Sequence, residues 1–518
     1  PWSRRTADTL DQESRAANAG RLVALAGLLA LVGLVAPLAA PVGAGAGTVA
    51  AQAAPAQVDG ERPTIRIVDQ TTFVPADGVF DLAVDLDLPA SFDDVAGPPF
   101  LSVTFYGRLS AEDAVDEPPA EAIRRTPDIV IARAPRTEAG HIQLAIPIRS
   151  TARFDDQDRV LLAEPGVYPV TVELRDAEGQ LASVRTHLVR QPIETADEPT
   201  DDRTPIEVAI VLSVSTAEGL TPADATALLA EHPGLPLTVV LDAGVINQLR
   251  ADETAARALA EALAGRPVLT NPTIDLDPSA LAEIGQGDIY LAAADEDRAS
   301  LTELGLQPAD GVALLASPLT DAGVDVLGRN GIDAVLDLGD RFLGSGVIEP
   351  SGRAMKVIRT DRDLNLALRG DDAIPTIGSG PHRANRVLAR LTLRRDIDDR
   401  PVVLGGPAIG VDPAPALAAL LRSLSQPGAP RPVPLAAIRG GPSLRLAEQP
   451  GQDLAPVADL VDQIQQRVDT YATFYRAGGA QPNEYRQRLV GALTRQRNPD
   501  DRLRALNLIA IQLDDDLG

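Results

Sequence analysis

Residues 235–249 read LPLTVVLDAGVINQL and contain the clearest structural unit of the chain. The β-branched run Thr238–Leu241 predicts a buried strand, and a tight turn that begins with the carboxylate of Asp242 follows it. A helical pattern comes directly after the turn. Variants of this strand–turn–helix unit recur over residues 206–440, so this part of the chain is expected to form a parallel α/β domain.

The repeated units number seven or eight, which is the number that closes a parallel (β/α) barrel. An open doubly wound sheet is the alternative arrangement of the same units. No GxGxxG motif follows the first strand and the chain has no P-loop, so no nucleotide site is indicated. The fourth strand is predicted at Ile289–Ala293 and the last at Val433–Ile438, while residues 357–373 are a less regular stretch with alternating apolar residues.

Residues 62–192 alternate with a period of two instead, as along Phe80–Leu86. Two long alternating runs, Tyr168–Leu174 and Leu181–Val189, flank a glycine-bearing loop and predict a hairpin. Several short half-buried strands at this spacing favour an immunoglobulin-like β-sandwich. Residues 193–205 are acidic, contain proline and have little to bury, which is typical of a linker.

Residues 453–518 show three amphipathic patterns and predict a C-terminal α-helical segment. Their apolar stripes are expected to pack on the barrel or on each other, and a partner-binding helical face is the alternative. The expected fold class is therefore multidomain. It comprises an immunoglobulin-like β-sandwich, a degenerate (β/α)7–8 barrel and a helical tail.

Residues 1–54 have the organisation of a signal peptide or an N-terminal membrane anchor. Arginines come first, the uncharged run Leu22–Ala36 follows, and a small-residue tract includes an A-x-A site at Ala51. Counting the apolar run on through Ala40 gives the anchor, because a membrane span needs about 20 residues. In both cases the rest of the chain is expected to be exported and extracytoplasmic, either membrane-associated or secreted.

The composition excludes several classes of partner and site. The chain has 47 basic and 73 acidic residues, and its net charge of −26 repels the phosphates of nucleic acid. It has no cysteine, so disulfides and thiolate metal sites are excluded. The barrel histidines, His232 and His382, form no metal-binding motif, so neither a metal nor a cofactor is expected.

Polar residues at the ends of predicted strands are the candidate site, because barrel active sites gather there. Two facing carboxylates could run glycoside hydrolysis, and a carboxylate with histidines could hold a metal for deacetylation. The candidate catalytic residues are Asp242, Asp275 and Asp277. The candidate ligand-binding residues are Asn271, Tyr290 and Asp340.

Structural roles compete with these assignments. Asp242 and Asp277 each precede a helix and would serve as N-caps. Ser317 also ends a strand but has no GxSxG motif around it. Sugar clefts use flat aromatic faces, yet the one tryptophan is Trp2 and Tyr290 is the only tyrosine of the barrel.

Four segments resemble a domain-of-unknown-function family of secreted, membrane-anchored cell-envelope proteins from high-GC bacteria. They are residues 236–249, the stretch NPTIDLDPSALA at 271–282, residues 312–337 and residues 383–438. In that family a signal segment precedes a β-sandwich and a barrel related to glycoside hydrolases and polysaccharide deacetylases. The family pattern has an aromatic residue where this chain has Thr273. Further β-structure and a membrane helix follow in the family, so the chain is expected to be truncated before them.

The resemblance implies a function in cell-wall biology. Together with the missing histidine pair and the scarce aromatics, it favours a non-catalytic scaffold or a glycan- or protein-binding module. The expected partners are a cell-wall glycan or an envelope protein, with the membrane contacted through the N-terminal segment. A carbohydrate-active hydrolase or deacetylase that uses the strand-end carboxylates is the alternative.

Overall fold

The structure is a computed structural model, and it describes most of the chain after residue 62. The described residues are 63–88, 98–119, 121–151, 159–192, 205–216, 219–270, 275–315, 317–338, 345–349, 353–370, 379–394, 400–405, 413–438, 442–448, 450–474, 480–495 and 497–517. The predicted signal segment, nearly all of the predicted linker, and the candidate residues Asn271 and Asp340 lie outside them.

The part before the linker consists of strands, as its period-two pattern predicts. They are β1 Thr64–Gln70, β2 Phe73–Val74, β3 Val79–Asp87, β4 Phe100–Tyr106, β5 Ala122–Arg125, β6 Ile129–Val130, β7 Ile142–Arg149, β8 Val160–Leu161, β9 Gly166–Arg175 and β10 Gln180–Arg190. One sheet has the order β1-β3-β7-β8, and the other has the order β2-β10-β9-β4-β5 with β6 on β4. The predicted hairpin is present, because β9 and β10 pair antiparallel with Tyr168 opposite Leu188.

The two sheets enclose one apolar core. Phe80 and Leu82 reach it from the first sheet, and Val103, Phe105 and Val170 reach it from the second. The rings of Phe80 and Phe105 meet edge to face with their centroids 6.1 Å apart. Burial of alternate side chains from both sheets explains why these strands alternate apolar and polar residues.

The part after the linker alternates strands and helices. Its strands are β11 Glu207–Val214, β12 Leu237–Leu241, β13 Val268–Thr270, β14 Val312–Leu314, β15 Ala334–Asp337, β16 Gly346–Ile348, β17 Met355–Arg359, β18 Val402–Gly405 and β19 Arg431–Pro432. Its helices are α1 Pro222–Glu231, α2 Ala243–Ala251, α3 Glu253–Ala262, α4 Pro278–Glu283, α5 Gly287–Glu303, α6 Asp321–Arg329, α7 Arg362–Arg369, α8 Gly380–Arg394 and α9 Pro413–Leu424. Thr221 caps α1 and Pro222 opens it, because threonine is a good N-cap and proline suits the first position of a helix.

These strands form two mostly parallel sheets. One has the order β13-β12-β11-β18 with β19 on β11, and the other has the order β14-β15-β17-β16. Backbone hydrogen bonds join the two sheets at two places, one beside β13 and β14 and the other where the chain leaves β17 beside β18. The amide of Ala309 donates to the carbonyl of Val268 at 2.8 Å, and the amide of Asp361 donates to that of Val403 at 2.8 Å.

Alternate residues of β11 belong to two different cores. Ala209 and Val211 join an interior cluster, whereas Val208, Ile210 and Leu212 pack against the helices. The interior cluster also receives side chains from β12, β13, β14, β15, β17 and β18. These are Val240, Leu269, Leu314, Ala334, Leu336, Ile358 and Val403. The strands are therefore apolar on both faces, which explains their continuous apolar runs.

A glycine allows β18 to approach β11 closely. Gly405 has φ +119°, and a Cβ built on it would lie 1.9 Å from the carbonyl oxygen of Val211. The side chain of Asn365 holds this residue, donating to its carbonyl at 2.7 Å and accepting from its amide at 2.8 Å. The glycine that ends β18 is therefore required by packing.

Two predicted elements are wrong, and one stretch contains elements that were not predicted. The segment predicted as strand Ile289–Ala293 lies inside helix α5, because the alanine-rich sequence around it favours a 17-residue helix and a short apolar run does not distinguish the two. Residues 357–373, described above as a less regular stretch, contain the end of β17 and helix α7. The predicted last strand Val433–Ile438 is a short 3₁₀ turn, Leu435–Ala437, after the two-residue strand β19.

The tail forms three helices, α10 Ala458–Phe474, α11 Ala480–Ala492 and α12 Pro499–Leu517. Their buried stripes include Val461, Ile464, Leu489 and Leu506, and they share one core with buried residues of α4, α5 and α6. The tail is thus part of the fold. No helix among the described residues is both long enough and apolar enough to span a bilayer.

Candidate functional site

Asp242 lies directly after β12 and caps helix α2. Its Oδ1 accepts a hydrogen bond from the amide of Val245 at 2.7 Å, and its Oδ2 accepts one from the amide of Thr216 at 3.3 Å. An N-cap carboxylate satisfies amides that have no partner within the helix. The structure therefore gives Asp242 the capping role that competed with catalysis.

Asp275 is bound by the tail. Its carboxylate makes a two-pronged ion pair with Arg495, with Nε–Oδ1 at 2.9 Å and Nη2–Oδ2 at 3.0 Å. The backbone amide of Arg495 also donates to the carbonyl of Asp275 at 2.9 Å. Both side chains are about three-quarters buried, with 27% of Arg495 and 24% of Asp275 exposed. This carboxylate holds the segment after α11 against the strand ends.

Asp277 caps helix α4 and is 1% exposed. Its Oδ1 accepts from the amides of Ser279 at 3.0 Å and Ala280 at 3.1 Å. Burial raises the pKa of this carboxyl, and the hydrogen bond from Ala280 offsets only part of that effect. Its outer oxygen, Oδ2, has no well-aligned hydrogen-bond partner among the described residues.

Ser317, which follows β14, is fully buried beside Asp277. The segment that precedes the tail covers this pair, because a Cβ built on Gly451 would lie 3.3 Å from Asp277 Oδ2 and 2.7 Å from Pro318 Cδ. The fold thus brings two predicted strand-end residues together and seals them. Within the described residues, no hydrogen bond or ion pair joins Asp242 to Asp275 or Asp277.

Tyr290, predicted on a strand, lies on the inner face of helix α5 and is buried. Burial raises its pKa to about 12, and the nearby Asp297 adds to this effect. The two side chains line a cavity of about 60 Å³ at the junction of β13 and β14, together with Arg298 and Asn330. A cavity of this size has room for a few waters, and is too small for a sugar ring.

Sequence reasoning missed a second polar cluster, where helix α8 meets the two-sheet part. Arginines at intervals of four residues form one stripe of α8. Arg386 and Arg390 pair with Asp116, and Arg394 pairs with Glu112 and Asp361. Burial opposes ionisation of Asp116, but the hydrogen bonds from the two arginines prevail and lower its pKa.

Beside this stripe, Asn385 joins the two parts through buried hydrogen bonds. Its Oδ1 accepts from the hydroxyl of Thr186 at 3.1 Å and the amide of His187 at 3.0 Å. Its Nδ2 donates to the hydroxyl of Thr72 at 3.4 Å. The i, i+4, i+8 spacing of the arginines could have predicted a charged helix face, but nothing local indicates what it meets.

Two histidines lie at the same junction, His187 fully buried and His382 largely buried. Burial lowers the pKa of His187 to about 3 and that of His382 to about 4, and nearby arginines lower them further. Both rings are therefore neutral over the physiological range. In the part of the chain that the structure describes, no group of three or more His, Cys, Asp or Glu side chains could hold a metal.

Several solved structures are similar to this chain at low identity. A 4-alpha-glucanotransferase from Thermococcus litoralis is 12% identical with a TM-score of 0.35; the match covers 58% of this chain and 53% of that one. The alpha-amylase AmyC from Thermotoga maritima is 9% identical with a TM-score of 0.39, covering 61% of this chain and 94% of that one. A polysaccharide deacetylase from Bacillus cereus is 12% identical with a TM-score of 0.26, covering 42% and 87%.

The chain thus spans about half the length of the glucanotransferase. No family model matches the chain. No curated protein matches it either.

Proposed function

We propose that the protein is an exported, non-catalytic binding module of the cell envelope, with a cell-wall glycan or an envelope protein as its partner. The observation that carries the proposal is the engagement of all three candidate catalytic carboxylates. Asp242 and Asp277 cap helices, and Asp275 is held by Arg495. A glycoside hydrolase needs two carboxyl groups that face a substrate across an open cleft.

The proposal includes a finer description of the fold. The two mostly antiparallel sheets form an immunoglobulin-like β-sandwich, and the seven parallel strands that share the interior cluster close into a degenerate barrel. Hydrogen bonds at both junctions between the parallel sheets support closure. The apolar interior, which Leu435 and Ile438 extend, supports a packed core in place of a central channel.

The junction between the β-sandwich and helix α8 also supports a scaffold function. Asn385 and the arginine stripe of α8 fix the orientation of the sandwich on the barrel through buried, charge-assisted contacts. A rigid pair of domains presents loops at a constant separation. Such geometry suits a module that binds an extended polymer or a second envelope protein.

One observation favours the alternative, a hydrolase or deacetylase. The raised pKa of the Asp277 carboxyl is what a general acid needs near neutral pH. For Asp277 to act, the segment at Gly451 would first have to leave its surface. The alternative therefore requires a rearrangement of that segment, which the binding proposal does not.

The test incubates the purified full chain with insoluble peptidoglycan and measures two quantities. The first is the fraction of protein that pellets with the polymer, and the second is the release of reducing ends and acetate. The proposal expects saturable pelleting without products. Product release that Asp277→Asn or Asp275→Asn abolishes would reject it. Pelleting that does not saturate would reject a specific glycan site. The partner would then be an envelope protein, which is tested by cross-linking in cells.

Export is tested separately. We expect a reporter that is active only outside the cytoplasm to be active when fused after residue 62. Deleting the apolar run Leu22–Ala36 should abolish that activity, whereas deleting an equal length from residues 37–54 should leave membrane targeting intact. A reporter that stays inactive in the intact fusion would refute export.

A further inference from the structure

Helix α12 has apolar side chains on two opposite sides. One side faces the tail core and carries three buried apolar residues and one buried arginine: Leu506, Ile509, Leu513 and Arg502. On the other side, Leu508 is 61% exposed and Ile511 is 58% exposed. Within the described part of the chain these are the two most exposed large apolar side chains. Single exposed leucines are common on protein surfaces, but an adjacent pair on one helix face forms a patch.

The exposed side is a regular stripe. Arg504, Leu508, Ile511 and Asp515 are spaced by four, three and four residues, which is the spacing of a coiled-coil seam. At 3.6 residues per turn these four positions lie within about 60° of each other, directly opposite the buried stripe. A charged residue therefore flanks the apolar pair at each end, with the cation Arg504 on one side and the anion Asp515 on the other.

This order of charges makes the stripe complementary to itself in one orientation only. If two copies of α12 run antiparallel about a two-fold axis between Ile509 and Ala510, Leu508 meets Ile511 of the second copy. The same axis brings Arg504 against Asp515 of the second copy. A parallel pair would instead place like charges together, which is unfavourable.

We propose that α12 is the interface of a symmetric antiparallel homodimer. The proposal is independent of the proposed function. The pairing is isologous, since each contact occurs twice around the axis. Arg504 must leave its own Asp501, 3.0 Å away, but that pair is exposed and contributes little. A single pair of helices buries less than the roughly 800 Å² per partner of a standard interface, so we expect weak association, in the micromolar to millimolar range.

Sedimentation equilibrium of the full chain over a wide concentration range tests the charges. Arg504→Asp and Asp515→Arg should each raise the dissociation constant about tenfold, because each puts two like-charged pairs in the dimer. The double variant should restore it. Glu261→Arg, an exposed change of the same size on α3, is the matched control and should have no effect.

Cysteine cross-linking tests the register, since the chain has no cysteine of its own. A mixture of Leu508→Cys chains and Ile511→Cys chains should oxidise to a cross-linked dimer faster than either variant alone. Cross-linking of each variant with itself at the faster rate would show parallel pairing and overturn the proposal. A chain that remains monomeric at every concentration, or a dimer that neither charge reversal weakens, would also overturn it.

Discussion

Mild acid should destabilise the protein through the two histidines buried where helix α8 meets the β-sandwich. His187 is buried and His382 is largely buried, and both are neutral in the folded state, with pKa values lowered to about 3 and about 4. In the unfolded chain both rings return to the ordinary value of about 6.5. Below pH 6.5 the unfolded state therefore binds up to two more protons than the folded state, and stability falls as the pH falls.

The size of the effect follows from these values. At pH 4.5 each histidine favours the unfolded state by about 2 to 3 kcal/mol, so the pair costs about 5 kcal/mol relative to pH 8. That is a large part of the stability of a typical domain. The charges that face the rings make protonation in the folded state harder still. Arg185 lies on β10, Arg383 and Arg386 lie on α8, and one carboxylate, Asp116, opposes them.

Two carboxyl groups also affect how the free energy of unfolding depends on pH, but neither produces the loss of stability expected from the histidines. Asp116 has a lowered pKa, so its stabilising contribution is lost only at a pH below about 4. Asp277 has a raised pKa, so it adds stability as the pH falls through its folded value, which opposes the histidines. Burial also lowers the pKa of His232, so that ring contributes in the same direction. His187 and His382, whose pKa values are lowered furthest, account for most of the change between pH 6.5 and 4.5.

Urea unfolding followed by far-UV circular dichroism at a series of pH values is the assay. The double variant His187→Gln/His382→Gln should lose most of the pH dependence in this window, whatever its absolute stability. Asn385→Ala is the control from the same junction: it should lower stability by about 1 to 3 kcal/mol at every pH, because an amide does not titrate. A change of less than about 1 kcal/mol in the wild-type free energy of unfolding between pH 8 and 4.5 would show that these histidines do not have strongly lowered pKa values in the folded state.

Three further predictions concern the strand ends. Asp277→Asn keeps an oxygen acceptor for the helix cap and removes a buried charge. Thermal unfolding at pH 7 should therefore show an increase of about 1 kcal/mol in the free energy of unfolding. A decrease would contradict the prediction. A double-mutant cycle with Asp275→Asn and Arg495→Gln should give a coupling of about 1 to 3 kcal/mol in urea unfolding; additive effects would show that the ion pair is energetically silent. Gly405→Ala should lower the free energy of unfolding by more than about 3 kcal/mol. Gly331→Ala is the control, because a Cβ built on Gly331, at φ +74°, has no atom within 4 Å. It should lower the same free energy by about 1 kcal/mol. Equal losses for the two glycines would refute the close contact of β18 with β11.

Local signals in the sequence predicted most of the regular elements. The Asp242 turn, the Thr221–Pro222 helix start and the hairpin of β9 and β10 are all present. Each depends on residues a few positions apart, so a single sequence contains the information that specifies it. Tyr290 shows the limit of that information. A five-residue apolar run fits a strand or a helix, and the packing of a 17-residue helix decided between them.

Local patterns in the chain thus specify where strands, turns and helix caps form, because these features depend on neighbouring residues. The roles of the strand-end carboxylates depend on long-range contacts instead. Asp275 meets Arg495 across 220 positions, and Asp277 is sealed by Gly451. His187 meets α8 in the same way, from a distant strand. Burial and partners set whether a carboxylate or a histidine is reactive or structural, and both arise from contacts that have no local pattern.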